Sequence, residues 1–166
     1  SGGVDAAYDF KLYFNQIRSF AGTAGALNAL HAEIDNGGFF PGEHALYMRF
    51  MESQDEDRIV YFYSGAFQID APTTFRKTMP LASVLFTAPG IPMLWNGQEV
   101  GWGYGIAGSK EARARSVINW QYQGRDLLAP HYQKLATLRG QFPAFTAPKL
   151  DTDLNGSVDA GDAPVF

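Results

Sequence analysis

Pro89-Gly90-Ile91-Pro92-Met93-Leu94-Trp95-Asn96-Gly97-Gln98-Glu99-Val100-Gly101 is the stretch that decides the fold. Pro89-Gly90 punctuates the chain, Ile91 to Trp95 is a short apolar run suited to a buried strand, and Asn96-Gly97 turns the chain again. Polar Gln98 and Glu99 follow at once. Ahead of the stretch, Phe75 to Ala88 reads as a buried helix. Pro80 sets its expected start, because proline is at home in a first helical turn and not in a helix interior. The 21 uncharged residues from Thr78 to Gln98 match the length of a membrane span. Pro80, Pro89, Gly90 and Pro92 interrupt them, so the reading is helix then strand, with no membrane span.

The same logic extends outward. Ala45 to Met51 is a compact apolar run and a second strand, and a polar, acidic knot follows it: Glu52-Ser53-Gln54-Asp55-Glu56-Asp57-Arg58. Asp9 to Phe20 places Phe10, Tyr13, Phe14, Ile17 and Phe20 at helical spacing, and a shorter helical pattern at Leu27, Leu30 and Ile34 stops at Gly37-Gly38. Residues 101–125 read as a long loop, and Leu127 to Arg139 as an amphipathic helix with Leu127, Leu128, Tyr132, Leu135 and Leu138 on one side. The order is helix, strand, helix, strand, helix. Alternation of this kind implies right-handed βαβ units and a parallel sheet. Both strands end in polar residues just past their C-terminal ends, the edge where ligands bind in parallel α/β folds.

Composition narrows the classes. The chain has 166 residues, 46% hydrophobic and 14% aromatic, with a net charge of −4, which excludes a disordered chain and makes a nucleic-acid partner unexpected. The absence of cysteine excludes disulfides, thiolate metal sites and a cysteine nucleophile. Ser1-Gly2-Gly3 reads as an internal cut, with no initiator Met or secretory signal beside it. His31, His44 and His131 are scattered, and no ligand or base role is expected of them.

Pro89 to Gly101 resembles the strand-eight signature of the alpha-amylase glycoside hydrolases (family 13), which runs Pro-Gly-Ile-Pro, two apolar residues, an aromatic, then Gly-x-Glu-x-Gly. Phe50 to Arg58 is similar to that family's strand-seven motif, an apolar run followed by Asn/Ser-His-Asp and a nearby Arg. Leu128 to Ala144 is similar to the last barrel helix and its exit, and Tyr8-Asp9-Phe10 to the approach to helix six. The resemblance implies an α/β chain forming the C-terminal portion, about strand six to helix eight, of a (β/α)8 TIM barrel. Residues 1–147 would be partial barrel and 148–166 a calcium-loop-like linker leading out of it. Such barrels take about 250 residues, so the missing N-terminal part of the barrel is an expected partner. That part would hold the nucleophile and general acid of the family's retaining mechanism, leaving this piece alone inactive.

Asp55 then matches the family's third carboxylate, which binds sugar hydroxyls and favours the distorted, oxocarbenium-like transition state. Gln54 stands where the family normally has His; it can still donate to a hydroxyl but can never carry positive charge. Arg58 could pair with Asp55 or with Glu52, or be a plain surface ion pair worth about 0–1 kcal/mol, and it is also a candidate to bind substrate. Glu52, three residues from Asp55, would face away from it by strand alternation. Glu99 is expected to cap a turn or pair with an Arg, Trp95 to pack in the core, and Trp102 and Tyr104 to offer flat faces for stacking sugars. The implied partner is an α-glucan or oligosaccharide. A non-catalytic barrel relative, kept for binding or assembly, is the alternative.

The tail carries its own pattern. Asp151-Thr152-Asp153-Leu154-Asn155-Gly156-Ser157-Val158-Asp159-Ala160-Gly161-Asp162 resembles an EF-hand loop or the calcium loop of dockerin modules. Asp151, Asp153, Asn155, Asp159 and Asp162 would supply side-chain oxygens and Ser157 its carbonyl. Calcium is therefore the expected cofactor, and calcium-dependent docking is another possible use of the tail. Asp in place of Glu at position 12 implies weak affinity, suited to extracellular or periplasmic calcium levels.

Overall fold

The computed structural model describes residues 6–20, 24–35, 47–67, 69–104, 117–142 and 145. Three strands, β1 (Ala7–Tyr8), β2 (Tyr47–Phe50) and β3 (Ile91–Met93), form one sheet in the order β1-β2-β3. Both pairings are parallel, with Tyr8 opposite Met48 and Phe50 opposite Met93. The expected parallel sheet is therefore present. Pro92 has no N–H for a ladder, and it sits on a strand at the sheet's described edge, where that loss is tolerated.

Helix α1 (Phe10–Leu12) continues as a π-helical stretch, Tyr13–Ile17, and α2 is Ala24–Asp35. Asp9 starts α1 by accepting the Leu12 N–H at 3.0 Å, satisfying one of the donors that every helix start leaves open. After β2 come α3 (Ile59–Phe67) and α4 (Ala71–Thr87); after β3, a short 3-10 turn (Gln98–Val100) and then α5 (Arg125–Gln141).

Two expectations need correction. Helix α4 starts at Ala71, not near Pro80: Asp70 caps it by accepting the Thr73 N–H at 2.8 Å, and Pro72 takes the first-turn position expected of Pro80. Pro80 lies inside the helix on its exposed face, where the Arg76 carbonyl it leaves unbonded is on the solvent side. Helix α3 was not anticipated at all. Its sequence, Ile59-Val60-Tyr61-Phe62-Tyr63-Ser64-Gly65-Ala66-Phe67, is so uniformly apolar that no periodicity marks it.

The core lies between sheet and helices. Leu12 of α1 and Tyr13 and Ile17 of the π-helical stretch meet Phe50 and Met51 from β2 and its exit, with the Tyr13 and Phe50 rings stacked at 5.0 Å. Ile59, Val60 and Tyr63 of α3, Phe75, Leu81 and Leu85 of α4, and Leu128, Tyr132 and Leu135 of α5 complete it. The buried Tyr63 hydroxyl donates to the Ile17 carbonyl at 2.5 Å, so α3 is tied to the end of the π-helical stretch. No helix among the described residues is long and apolar enough to cross a membrane. Gly37-Gly38, His44 and the whole Asp151 to Asp162 loop lie outside the described residues.

Candidate active site

Parallel pairing brings all three strand ends to one edge of the sheet. Asp9 follows β1, the segment 51–58 follows β2, and Trp95 to Tyr104 follow β3. Asp9 is committed to structure: besides capping α1 it lies 3.8 Å from Arg49, and both are buried.

The segment after β2 divides sharply by burial. Met51, Glu52 and Ser53 are buried, whereas Gln54 and Asp55 are exposed. Because β2 ends at Phe50, strand alternation does not govern the next residues; the loop itself separates the two acids, one inward and one outward. Ser53 Oγ accepts the Asp55 N–H at 3.2 Å, a small turn that lifts Asp55 from the interior. The Gln54 amide donates to Asp55 Oδ2 at 3.2 Å, so this neutral side chain contacts the carboxylate.

Arg58 pairs with Glu52. Its Nη1 donates to Glu52 Oε2 at 2.8 Å and to the Asn96 carbonyl at 2.8 Å, joining the exits of β2 and β3 through one nitrogen. The other Glu52 oxygen accepts the Ile59 N–H at 3.1 Å and so caps the start of α3. Glu52 is 0% and Arg58 2% exposed. Burial pushes the Glu52 carboxyl up to about 6, against the pull of Arg58, with Glu99 adding a smaller push. Arg58 is walled in from above by Gly103, whose φ is +111° and where a Cβ would come within 2.6 Å of the Arg58 Cβ. Only glycine fits there without strain.

The aromatic residues expected at the mouth face inward. Trp102 is buried, edge-on to Tyr122 at 4.9 Å. Tyr104 is half-buried, edge-on to Phe75, and its hydroxyl donates to the Ile69 carbonyl at 3.3 Å. Trp95 is half-buried. The structure thus brings Gln54 and Asp55 together at the surface, seats Arg58 behind them, and sets Trp102 and Tyr104 into packing. Glu99 is the middle residue of the 3-10 turn, and its buried Oε2 has no hydrogen-bond partner among the described residues. Beside it, Gln98 donates to the Tyr132 hydroxyl at 2.7 Å, a buried bond from the strand-end turn to α5 that sequence reasoning missed. Glu52 was also missed as a fixture of the site; a carboxylate just past an apolar strand, seven residues before a helical N–H, has no short-range signature. Among the described residues no group of three His, Asp or Glu side chains is placed to hold a metal ion.

No protein-family model matches the chain, and no curated protein does. Solved structures do. The chain aligns with the cyclic α-maltosyl-(1→6)-maltose hydrolase of Arthrobacter globiformis over 85% of its own length at TM-score 0.58 and 23% identity in the ligand-free form. Against the same enzyme in complex with maltose it aligns over 89%, at TM-score 0.58 and 24% identity. Against the pullulanase of Bacillus acidopullulyticus the figures are 86%, 0.62 and 14%. All are glycoside hydrolases of the alpha-amylase type, and the chain has the α/β fold of part of their (β/α)8 barrels. It spans a third or less of their length, 30%, 33% and 19% respectively.

Proposed function

We propose that this chain is the segment from about strand six to helix eight of an alpha-amylase-family barrel, and that its complete enzyme cleaves or transfers α-glucosidic bonds with retention. On this reading β1, β2 and β3 are strands six, seven and eight and α5 is the last barrel helix. The observation that carries the reading is Asp55: a carboxylate exposed past the C-terminal end of a parallel strand, within the motif that resembles the family's third acid. A carboxylate there can accept two charge-assisted hydrogen bonds from adjacent sugar hydroxyls, and its charge opposes the positive charge that develops at the reacting carbon.

Retention requires two further carboxyl groups, one as nucleophile and one as acid and base, about 5 Å apart. Glu52 is buried in an ion pair and Glu56 lies 3.9 Å from Arg18, so neither fits those roles. The reading assigns both to earlier barrel strands and leaves these residues alone inactive. Gln54 and Asp55 make the sugar contacts, Arg58 supports them from behind, and Trp102 and Tyr104 pack beneath the turn after β3. The substrate is an α-glucan or its oligosaccharides.

The tail fits calcium by the chemistry of its donors, because Asp151, Asp153, Asn155, Ser157, Asp159 and Asp162 offer only oxygen. Calcium there would draw together four like charges that otherwise repel. Affinity in the weak range of extracellular modules, about 10⁻⁴–10⁻³ M, goes with an extracellular or periplasmic setting.

The test is Asp55→Asn in the longest reading frame that contains this chain, assayed on soluble starch. Loss of one such electrostatic contact costs roughly two to three orders of magnitude in rate. A change of less than threefold refutes the role given to Asp55.

A further inference from the structure

We infer that Glu52 is a positioning residue for this site: its carboxylate grips Arg58 and the first N–H of α3, and through them it sets the loop that presents Asp55. The inference rests on the reading of Asp55 given above and adds to it a part that touches no sugar.

The Ser53–Asp55 turn and the Glu56–Arg18 pair at 3.9 Å hold the middle of the loop, and Glu52 ties its two ends. Segment 52–58 is fixed at its entry by β2, which ends at Phe50, and at its exit by α3, which begins at Ile59. Glu52 spans that gap, meeting Arg58 at 2.8 Å and Ile59 N at 3.1 Å. Arg58 then carries the constraint to β3 through the Asn96 carbonyl, while the backbone at Gly103 closes over its stem. One carboxylate therefore fixes both the width of the loop and its distance from the neighbouring strand end. Gln54 and Asp55, at the crown of the loop, follow.

The grip depends on charge. Arg58 faces Glu52 from the start of α3, Glu99 from the turn after β3 and Tyr132 from α5; of these only Arg58 favours the ionised form strongly. Above pH about 6 the carboxylate is ionised and holds Arg58; below it, a proton is taken up and the charge pairing lapses. The folded value lies above the 4.5 of a free Glu. The stability this group contributes is therefore fully present below 4.5 and is lost as pH rises through about 6. Acidification through that window takes the charge off the contact to Arg58 while Glu52 stays buried, so the loop loses its charged anchor without the protein unfolding.

The experiment uses the longest reading frame that contains this chain, on soluble starch at pH values on both sides of about 6. Wild-type kcat is expected to fall as pH drops through about 6 while its melting temperature does not fall. Glu52→Gln, similar in size but uncharged, is expected to lose about a hundredfold in kcat at the alkaline end, the usual cost of an ångström-scale misplacement, and to lack the limb near pH 6. A Glu52→Gln protein that keeps the wild-type limb, or loses less than threefold in kcat, overturns the inference. Should that variant not fold, Arg58→Lys decides. It keeps the charge but cannot reproduce the guanidinium's geometry, so the limb must move, and an unmoved limb overturns the inference. Asp55→Asn, slowed by roughly two to three orders of magnitude at every pH on the underlying reading, separates the two claims. A change of less than about threefold in Asp55→Asn removes the reading itself, whereas the full loss in Asp55→Asn beside an unaltered Glu52→Gln removes only the role of Glu52.

Discussion

Arg139 ties the last helix to the corner that leads into β3, and its replacement by Met should cost about 2–3 kcal/mol. Its Nη1 donates to the carbonyls of Phe86 at 2.7 Å and Ala88 at 3.1 Å, and its Nη2 to that of Gly90 at 2.5 Å. These carbonyls belong to the end of α4 and the turn before β3, groups the backbone ladder cannot satisfy. Hydrogen bonds from a charged donor contribute about 1.5–3 kcal/mol each at full strength. Arg139 is only half-buried, so water can replace part of that and the total is well below three full bonds. A cation at a helix C-terminus adds about 0.3–1 kcal/mol. Met keeps the apolar stem and removes only the guanidinium. The expected loss corresponds to about a 30- to 150-fold fall in the folded-to-unfolded ratio. Urea unfolding of the longest reading frame, followed by tryptophan fluorescence at unchanged m, reads it directly. A shift below about 0.5 kcal/mol would refute the reasoning, since an effect that small is ordinary for a plain surface substitution.

Two further outcomes are expected. Expressed alone, the 166-residue chain should associate, because β1 and β3 lie at open edges of its described sheet and Tyr8, Phe10, Phe14, Ile91 and Leu94 are exposed beside them; sedimentation showing a monomer with a cooperative melt excludes this. Calcium at about ten millimolar, an excess over the Kd expected of such a loop, should raise the melting temperature, and an Asp151→Ala/Asp153→Ala double variant should lose the rise; an equal rise in both leaves the loop a plain acidic turn.

Much of the architecture was legible because the apolar runs at Tyr47–Phe50 and Ile91–Met93 are short, are closed by turn residues and alternate with helical patterns. Three features were not. Strand β1 is two residues long and carries too little pattern to register by itself; only the resemblance around Tyr8-Asp9-Phe10 pointed to the end of a strand there. Helix α3 is apolar on all sides, so it resembles a strand as much as a helix until the core closes around it. Pro80 misled because its effect depends on which side of the helix it occupies, and only Asp70 with Pro72 marks the true start. At the site, the position of Asp55 just past the end of β2 was legible from its motif. The inward turn of Trp102 and Tyr104 was not, because it depends on Tyr122 and Phe75, which are distant in sequence.

The division of labour between the two acids follows from the cost of burying charge. Sequence spacing left Arg58 equally able to reach Glu52 or Asp55. The fold places Glu52 where water cannot, and an unpaired carboxylate there costs several kcal/mol, whereas Asp55 at the surface keeps its hydration. One guanidinium beside two carboxylates therefore goes to the buried one. On the proposed reading the consequence is functional as well as energetic: an Arg58 bound to Asp55 instead would occupy the acceptor positions meant for a sugar and would cancel the charge that opposes a positively charged transition state. Seated under Gly103 and held by Glu52, Arg58 supports the loop from inside, and on the proposed reading the exposed Asp55 meets the glucan from outside.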